Sequence, residues 1–566
     1  MSPLPSAPQD AAQDAAQDTA PLRRGRHAAR RGAGKDTAPG TDSTASRRFL
    51  AKATLLSSAL MAAGSVLGLG RDQALAHFFG ASSDTDAFLV AWTVPEMAAT
   101  LLIEGGMAFA LVPAFSIALA RRAEGAVPDP VRALITATLP RLCLALAAVC
   151  ALVVAGAPLL VPLLAPGLPD PSLAVDCTRL TASSVLTFGV AGYCSAALRA
   201  HRSYLAPAAV SVALNVAIIT AMLAFADDWG VRSAALGVGI GGYLMVAVQA
   251  PALWRRLTRG QQEYAPTQAS GAVPLGAALI TTVLLCALFR QAQVLIERFF
   301  GAGLPAGAIS HLNYAQKVAQ VPMLLALMLS VVTFPVLAQA IAQGDLHRAR
   351  HRIERDLVLI ASLVLVGAAV IVACAPQIIQ LLFQRGAFTA ADTAATASVM
   401  RVYTLGILGH TLVGALVRIY FSTGRAAWFP TVVTAAGMAA TAGLAAWAVV
   451  PYGAPGIAGA NAAGITLTAL LLLHGLGSHT VPVSVRRIAA GIAKPLLAAV
   501  GACGAGYVCA ASLSSPPAAL AAGGAVATAA FTLLALLLDA AGARSLAHAA
   551  LLPVRRSLTG KPRHGR

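Results

Sequence analysis

The stretch Pro140–Ala165, PRLCLALAAVCALVVAGAPLLVPLLA, decides the fold class. One charge, Arg141, interrupts a run otherwise built of Leu, Val, Ala, Cys, Gly and Pro. A helix rises about 1.5 Å per residue, so such a run outreaches the roughly 30 Å hydrocarbon core of a bilayer. Working outward, similar runs lie near 50–70, 86–118, 177–199, 205–226, 233–253, 275–299, 310–341, 356–383, 393–418, 428–450, 454–477, 488–512 and 516–541. The expectation is an all-α, polytopic membrane protein of about fourteen spans. The second and eighth runs are too long for a perpendicular crossing, and Pro95, Pro113, Pro322 and Pro335 are the expected bending points.

Composition agrees. Of 566 residues, 57% are hydrophobic and 11% charged, and mean hydropathy is +0.73. Soluble proteins carry roughly 25% charge, because their surface needs polar cover. The net charge of +18 is spread through short inter-span clusters and both tails, which excludes a nucleic-acid-binding face. None of the eight cysteines forms a CxxC pair, so they read as small core residues rather than a metal or redox site. No GxxxxGK[ST] or HExxH motif is present, and no metal site or enzyme constellation is expected.

The basic residues alternate between the two sides. Arg121, Arg122, Arg132 and Arg141 follow the second span, Arg255, Arg256 and Arg259 the sixth, and Arg348, Arg350, Arg352 and Arg355 the eighth. The opposite connections hold only Arg71, Arg179, Arg232, Arg298 and Arg385. The positive-inside rule then places both termini in the cytoplasm.

An internal repeat is visible. Phe78-Phe79-Gly80-Ala81 precedes Val94-Pro95, and Phe299-Phe300-Gly301-Ala302 precedes Val321-Pro322. The expected organisation is a basic disordered tail (1–48), a lobe over 49–259, a second lobe over 260–480, a helix pair over 481–541 and a basic tail over 542–566. Two-lobed transporters bind substrate between such halves.

Charges inside apolar runs cost at least about 2.5 kcal/mol at the bilayer centre and therefore mark wet cavities or partners. Here they gather in spans 1, 2, 7 and 8, as Arg71, Asp72, Asp86, Glu96, Glu104, Arg290, Glu297, Arg298 and Lys317, with Arg401 further on. Arg290 and Glu297 are seven apart, hence on one helix face. Glu104 and Lys317 lie deeper and read as cavity residues. Arg298 reads as an interfacial anchor, and His410 as a packed polar residue.

The run Gly64-Ser65-Val66-Leu67-Gly68, Arg71-Asp72, Phe79-Gly80-Ala81 and Thr85-Asp86-Ala87-Phe88 resembles the MurJ/MviN lipid II flippases. So do Glu104-Gly105, Asn313-Tyr314-Ala315 and Phe383-Gln384-Arg385-Gly386-Ala387-Phe388-Thr389. The resemblance covers about residues 50 to 480 and places the chain in the multidrug/oligosaccharidyl-lipid/polysaccharide exporter superfamily. It implies fourteen helices, the last two forming a lipid-tail groove. It also implies translocation of an undecaprenyl-diphosphate-linked glycan lipid from the inner to the outer leaflet of the bacterial plasma membrane by alternating access.

On this resemblance Arg71 and Lys317 hold the diphosphate, and Asp72, Asp86 and Glu104 work the outer gate. Glu297 matches a carboxylate of the family's sodium site and is the candidate cation-coupling residue. The expected partners are the lipid, the membrane and peptidoglycan synthesis enzymes, with no cofactor. The chain departs from the family at four cationic positions: Ser65, Ala99 and Thr100 stand where arginine is expected, and Lys317 replaces another. Glu96 stands where Asn is usual, and 428–450 contains no Asn, Asp or Glu. The alternatives are a flippase for another polyprenyl-linked glycan, an exporter of small amphipaths, or a non-transporting cell-wall scaffold.

Overall fold

The computed structural model describes residues 42–104, 106–258, 277–326, 345–421, 428–479 and 483–540. Most of the expected tail 1–48, the start of the second expected lobe and the C-terminal tail lie outside them. The chain divides into two units, 1–52 and 53–566, and the site lies in the second.

Every described element is helical. α1 is Asp42–Phe79 and α2 is Ser83–Ala98. A π-helix, Ala99–Glu104, joins α2 to α3, Gly106–Ala123. Then come α4 (Pro130–Leu164), α5 (Pro171–Thr181), α6 (Ser183–Ala200), α7 (Leu205–Trp229) and α8 (Arg232–Thr258). They are followed by α9 (Ala277–Gly301), α10 (Ala308–Ala319), α11 (Leu346–Ala373) and α12 (Ala375–Phe383). The last are α13 (Ala390–Leu405), α14 (Ile407–Phe421), α15 (Trp428–His479), α16 (Val485–Ala511) and α17 (Pro516–Leu537).

Among the described residues nine helices are long and apolar enough to cross a membrane, or ten if α13 and α14, bent by 45°, form one span. The chain is a multi-pass membrane protein. α15 is counted once there but is a hairpin. Gly453 takes φ +58°, and Gly437 abuts Thr468, Gly464 abuts Thr441 and Gly456 abuts Ala448. Pairs that close in on Gly453 from both sides describe two antiparallel helices, matching the separate runs at 428–450 and 454–477.

The second long run breaks, but not where its prolines suggested. Pro95 and Pro113 sit inside α2 and α3, and the irregularity is the π-helix between them. π-turns often mark functional positions, and a membrane helix tolerates Pro where neighbours satisfy the backbone. In the eighth run a turn at Gln320 interrupts the helix just before Pro322, while Pro335 lies outside the described residues. The two Phe-Phe-Gly-Ala copies occupy matched places, at the ends of α1 and α9.

Small residues let the backbones approach. On α8, Gly237 and Gly241 face Ile218, Ala221 and Leu214 of α7, while Gly239 and Gly242 face Leu180, Ser183 and Thr187 of α5 and α6. A core of Phe88, Leu89, Val90, Trp92, Ile218, Met222 and Val238 fills the space between α2, α7 and α8 and reaches Ile309 of α10. α16 and α17 pack on each other and on α11, with Gly506 against Ala527 and Gly491 against Val358. A Cβ at Gly237 would lie 2.7 Å from Ile218 Cα. Gly237→Leu is therefore expected to cost about 1–3 kcal/mol by overpacking, read as a lower melting temperature of the detergent-purified protein.

Candidate functional site

Two polar features lie between the earlier helices (α1–α8) and the later ones (α9–α15). One is a seal, the other a cavity.

The seal begins with a tight turn. Gly80, at φ +64°, ends α1, and a Cβ there would meet Ala387 O at 2.7 Å. Ser82 caps α2 by accepting from Thr85 N–H, and Thr85 Oγ1 donates to Gly80 O at 2.9 Å. This turn sets Asp86 in the first turn of α2, where it is 3% exposed. Its Oδ2 accepts from Gly307 N–H at 2.7 Å, and its Oδ1 from Ser310 N–H at 2.7 Å and Ser310 Oγ–H at 2.5 Å. These are the unpaired donors at the start of α10, where helix geometry leaves N–H groups free and favours negative charge.

The Phe383–Thr389 motif closes over the same place. Ala387 N–H donates to His77 O at 2.9 Å, and Gln73 Nε2 donates to Leu382 O at 3.0 Å. Gly386 at φ +60° sits against His77. Phe383 and Phe388 pack on the Tyr314 ring. Thr389 and Asp392 form a capping box that starts α13.

Arg71 and Asp72 belong to this seal rather than to the cavity lining. Arg71 donates through Nε and Nη2 to Asp72 Oδ1, at 3.1 and 2.7 Å. Its guanidinium lies 4.9 Å above the Trp92 ring. Glu104 closes the π-helix, and its side chain lies outside the described residues.

The cavity has a volume near 280 Å³ and is lined by Glu96, Thr100, Arg290, Lys317 and His410, among others. Glutamines 291, 293, 316 and 320 complete its polar wall. Lys317 Nζ stands 3.6 Å from Glu96 Oε1, with both side chains partly exposed. Arg290 and Gln293 are one turn apart on α9, and Glu297 comes one further turn along. The shared face expected from the seven-residue spacing thus leads from the cavity wall into the core.

Glu297 is 2% exposed. Its Oε1 accepts from Tyr403 Oη at 2.7 Å, Gln293 Nε2 at 3.0 Å and Asn461 Nδ2 at 3.2 Å. Gln293 and Asn461 also donate to Tyr403 Oη. His410 Nε2 lies 3.0 Å from Asn461 Oδ1 and joins this network to the cavity. A sodium ion needs oxygen lone pairs aimed at one point. Here the amides of Gln293 and Asn461 present N–H groups, not oxygens, to the carboxylate. The residues as placed do not fit a cation site.

Arg298 differs from its expected place at an interface. It is 2% exposed, with no hydrogen-bond partner for Nε or Nη1. Sequence reasoning did not single out Gln293, Tyr403 and Asn461. The place of Gln293 between Arg290 and Glu297 on an otherwise apolar span was the available signal for the first. Asn461 and Tyr403 come from distant spans and carry no local one.

Comparison with known proteins gives a consistent result. A family model described as lipid II flippase MurJ matches residues 75–518. The lipid II flippase MurJ of Burkholderia cenocepacia is 29% identical over 384 residues, covering 65% of this chain and 72% of that protein. The probable lipid II flippase MurJ of Bdellovibrio bacteriovorus is 26% identical over 470 residues, covering 80% and 87%. A solved structure of lipid II flippase MurJ in an inward closed conformation has a TM-score of 0.70 at 18% identity, covering 86% of this chain and 99% of that one. An inward-facing multidrug resistance transporter of the MATE family has a TM-score of 0.59 at 15% identity, covering 75% and 95%. At those identities the two structures speak for the fold.

Asp86→Ala leaves the buried donors of Gly307 and Ser310 without an acceptor. The expected cost is ~2 kcal/mol or more, seen as a lower melting temperature. Asp86→Asn is expected to fall between it and the parent, because an amide oxygen still accepts an N–H.

Proposed function

The chain belongs to the lipid II flippase MurJ family, and from that membership we infer that it moves lipid II, an undecaprenyl-diphosphate-linked peptidoglycan precursor, across the bacterial plasma membrane. The observation that carries the mechanism is a polar cavity bearing Lys317, set beside a hydrogen-bonded seal that joins early helices to late ones. A diphosphate sugar headgroup cannot enter hydrocarbon unaided. Cations lining a cavity hold it by charge-assisted hydrogen bonds, while the polyprenyl chain stays in lipid. No step in this scheme makes or breaks a covalent bond, so the chain acts as a transporter and not as an enzyme.

In this reading spans 1–6 and 7–12 are two lobes that rock against each other, and α16 with α17 offers the lipid-tail groove. The matched positions of the Phe-Phe-Gly-Ala copies support the two lobes. The Lys and Arg distribution supports cytoplasmic termini, which puts the seal on the outer side. Asp86 and Asp72 hold that seal shut, while Glu104 ends the π-helix, at the other end of the run from Asp86. Lys317 meets the diphosphate in the cavity. Arg71 reaches it only once Asp72 has released its guanidinium, so its substrate contact belongs to the stage after the seal opens. No sodium step is included, because the donors around Glu297 are arranged for a carboxylate and not for a cation. Peptidoglycan synthesis enzymes, which consume the flipped precursor, are the partners this role calls for.

The test is rescue of a bacterium depleted of its own lipid II flippase. Lys317→Ala is expected to abolish rescue at unchanged membrane abundance on an immunoblot, and Lys317→Arg to retain it. Full rescue by Lys317→Ala would remove Lys317 from the substrate site.

A further inference from the structure

The wall contributed by α2 and the π-helix presents Glu96 and the hydroxyl of Thr100 to the cavity, and no cation. The positive charge of the lining comes from the opposite wall, Arg290 on α9 and Lys317 on α10. Arg290 faces the cavity, and among the described residues it makes no ion pair. Gln293, one turn away, is pinned by Glu297 and Tyr403, which fixes the face that Arg290 shares.

Lys317, by contrast, is occupied. Its 3.6 Å separation from Glu96 exceeds the usual length of an N–H···O hydrogen bond. Loose, partly solvated pairs of this kind contribute about 1 kcal/mol or less. A diphosphate, with both phosphates ionised, outcompetes a single carboxylate for the same ammonium. A guanidinium adds a two-pronged donor that matches phosphate oxygens. The cavity volume near 280 Å³ leaves room for a diphosphate between the two cations.

Resting on the flippase reading above, we propose that Arg290 and Lys317 together form the diphosphate site of this chain, and that Glu96 holds Lys317 as an internal counter-ion until the diphosphate displaces it. Glu96 acts as a competitor that lowers the positive charge of the empty cavity and lets the headgroup leave after transport.

The test is equilibrium binding of lipid II, and of undecaprenyl diphosphate without sugars, to the full-length protein in nanodiscs, with undecaprenol as the uncharged control. Arg290→Ala is expected to weaken binding of both diphosphates about tenfold or more, the loss of one charged hydrogen bond. Arg290→Lys is expected to restore most of it. Glu96→Gln, which keeps side-chain volume, is expected to tighten binding severalfold. Combined with Lys317→Ala it is expected to give no such gain, because Glu96 acts through Lys317. Arg290→Ala binding within twofold of the parent, or Glu96→Gln binding no tighter, would overturn the proposal and leave the flippase reading standing. A well-folded parent that binds neither diphosphate better than undecaprenol would overturn the flippase reading itself.

Discussion

The structure depends on one buried carboxylate. Asp86 sits in the first turn of α2 and receives three hydrogen bonds from the start of α10. A carboxylate so deeply buried persists only if its oxygens are satisfied. The donors available are those that a helix leaves free at its N-terminus, so α2 and α10 are locked in one relative position. From that lock follow the approach of Gly80 to Ala387, the hydrogen bond between His77 and Ala387, and the seating of the Phe383–Thr389 motif. Each is short-range and fails together with the others if α2 and α10 part. Such a cooperative contact set is suited to a gate with two states.

The cavity obeys a different constraint. An empty chamber lined with bare cations inside a membrane is costly. This chain moderates the cost by setting Glu96 opposite Lys317 and by lining much of the remaining wall with glutamines. The buried hub of Glu297, Tyr403, Asn461 and Gln293 then stiffens α9 against α13 and α15. Electrostatics at the cavity and hydrogen bonding at the hub thus do separate jobs, although one face of α9 serves both.

Much of this was legible in the sequence. Hydropathy alone located the runs, and the paired motifs at Phe78–Ala81 and Phe299–Ala302 marked matching helix ends. Membrane burial forces backbone hydrogen bonds to close within each helix, so local pattern largely dictates local structure. The break in the second run was misplaced because proline is a weak signal inside a membrane bundle; the π-helix at Ala99–Glu104 lies next to Gly105 and Gly106 instead. The charges were found, but not their partners. Glu96 and Lys317 are separated by 221 residues, as are Asp86 and Gly307, and no local periodicity encodes such pairs. For the same reason Arg298 was read as interfacial when it is buried.

The most direct measurement is rescue by the unaltered chain of a bacterium depleted of its own lipid II flippase, with membrane expression verified by immunoblot. The account predicts restored growth and cell shape, because Arg290 and Lys317 supply the cavity's positive charge and the seal supplies the gate. Lysis despite normal membrane abundance would contradict it.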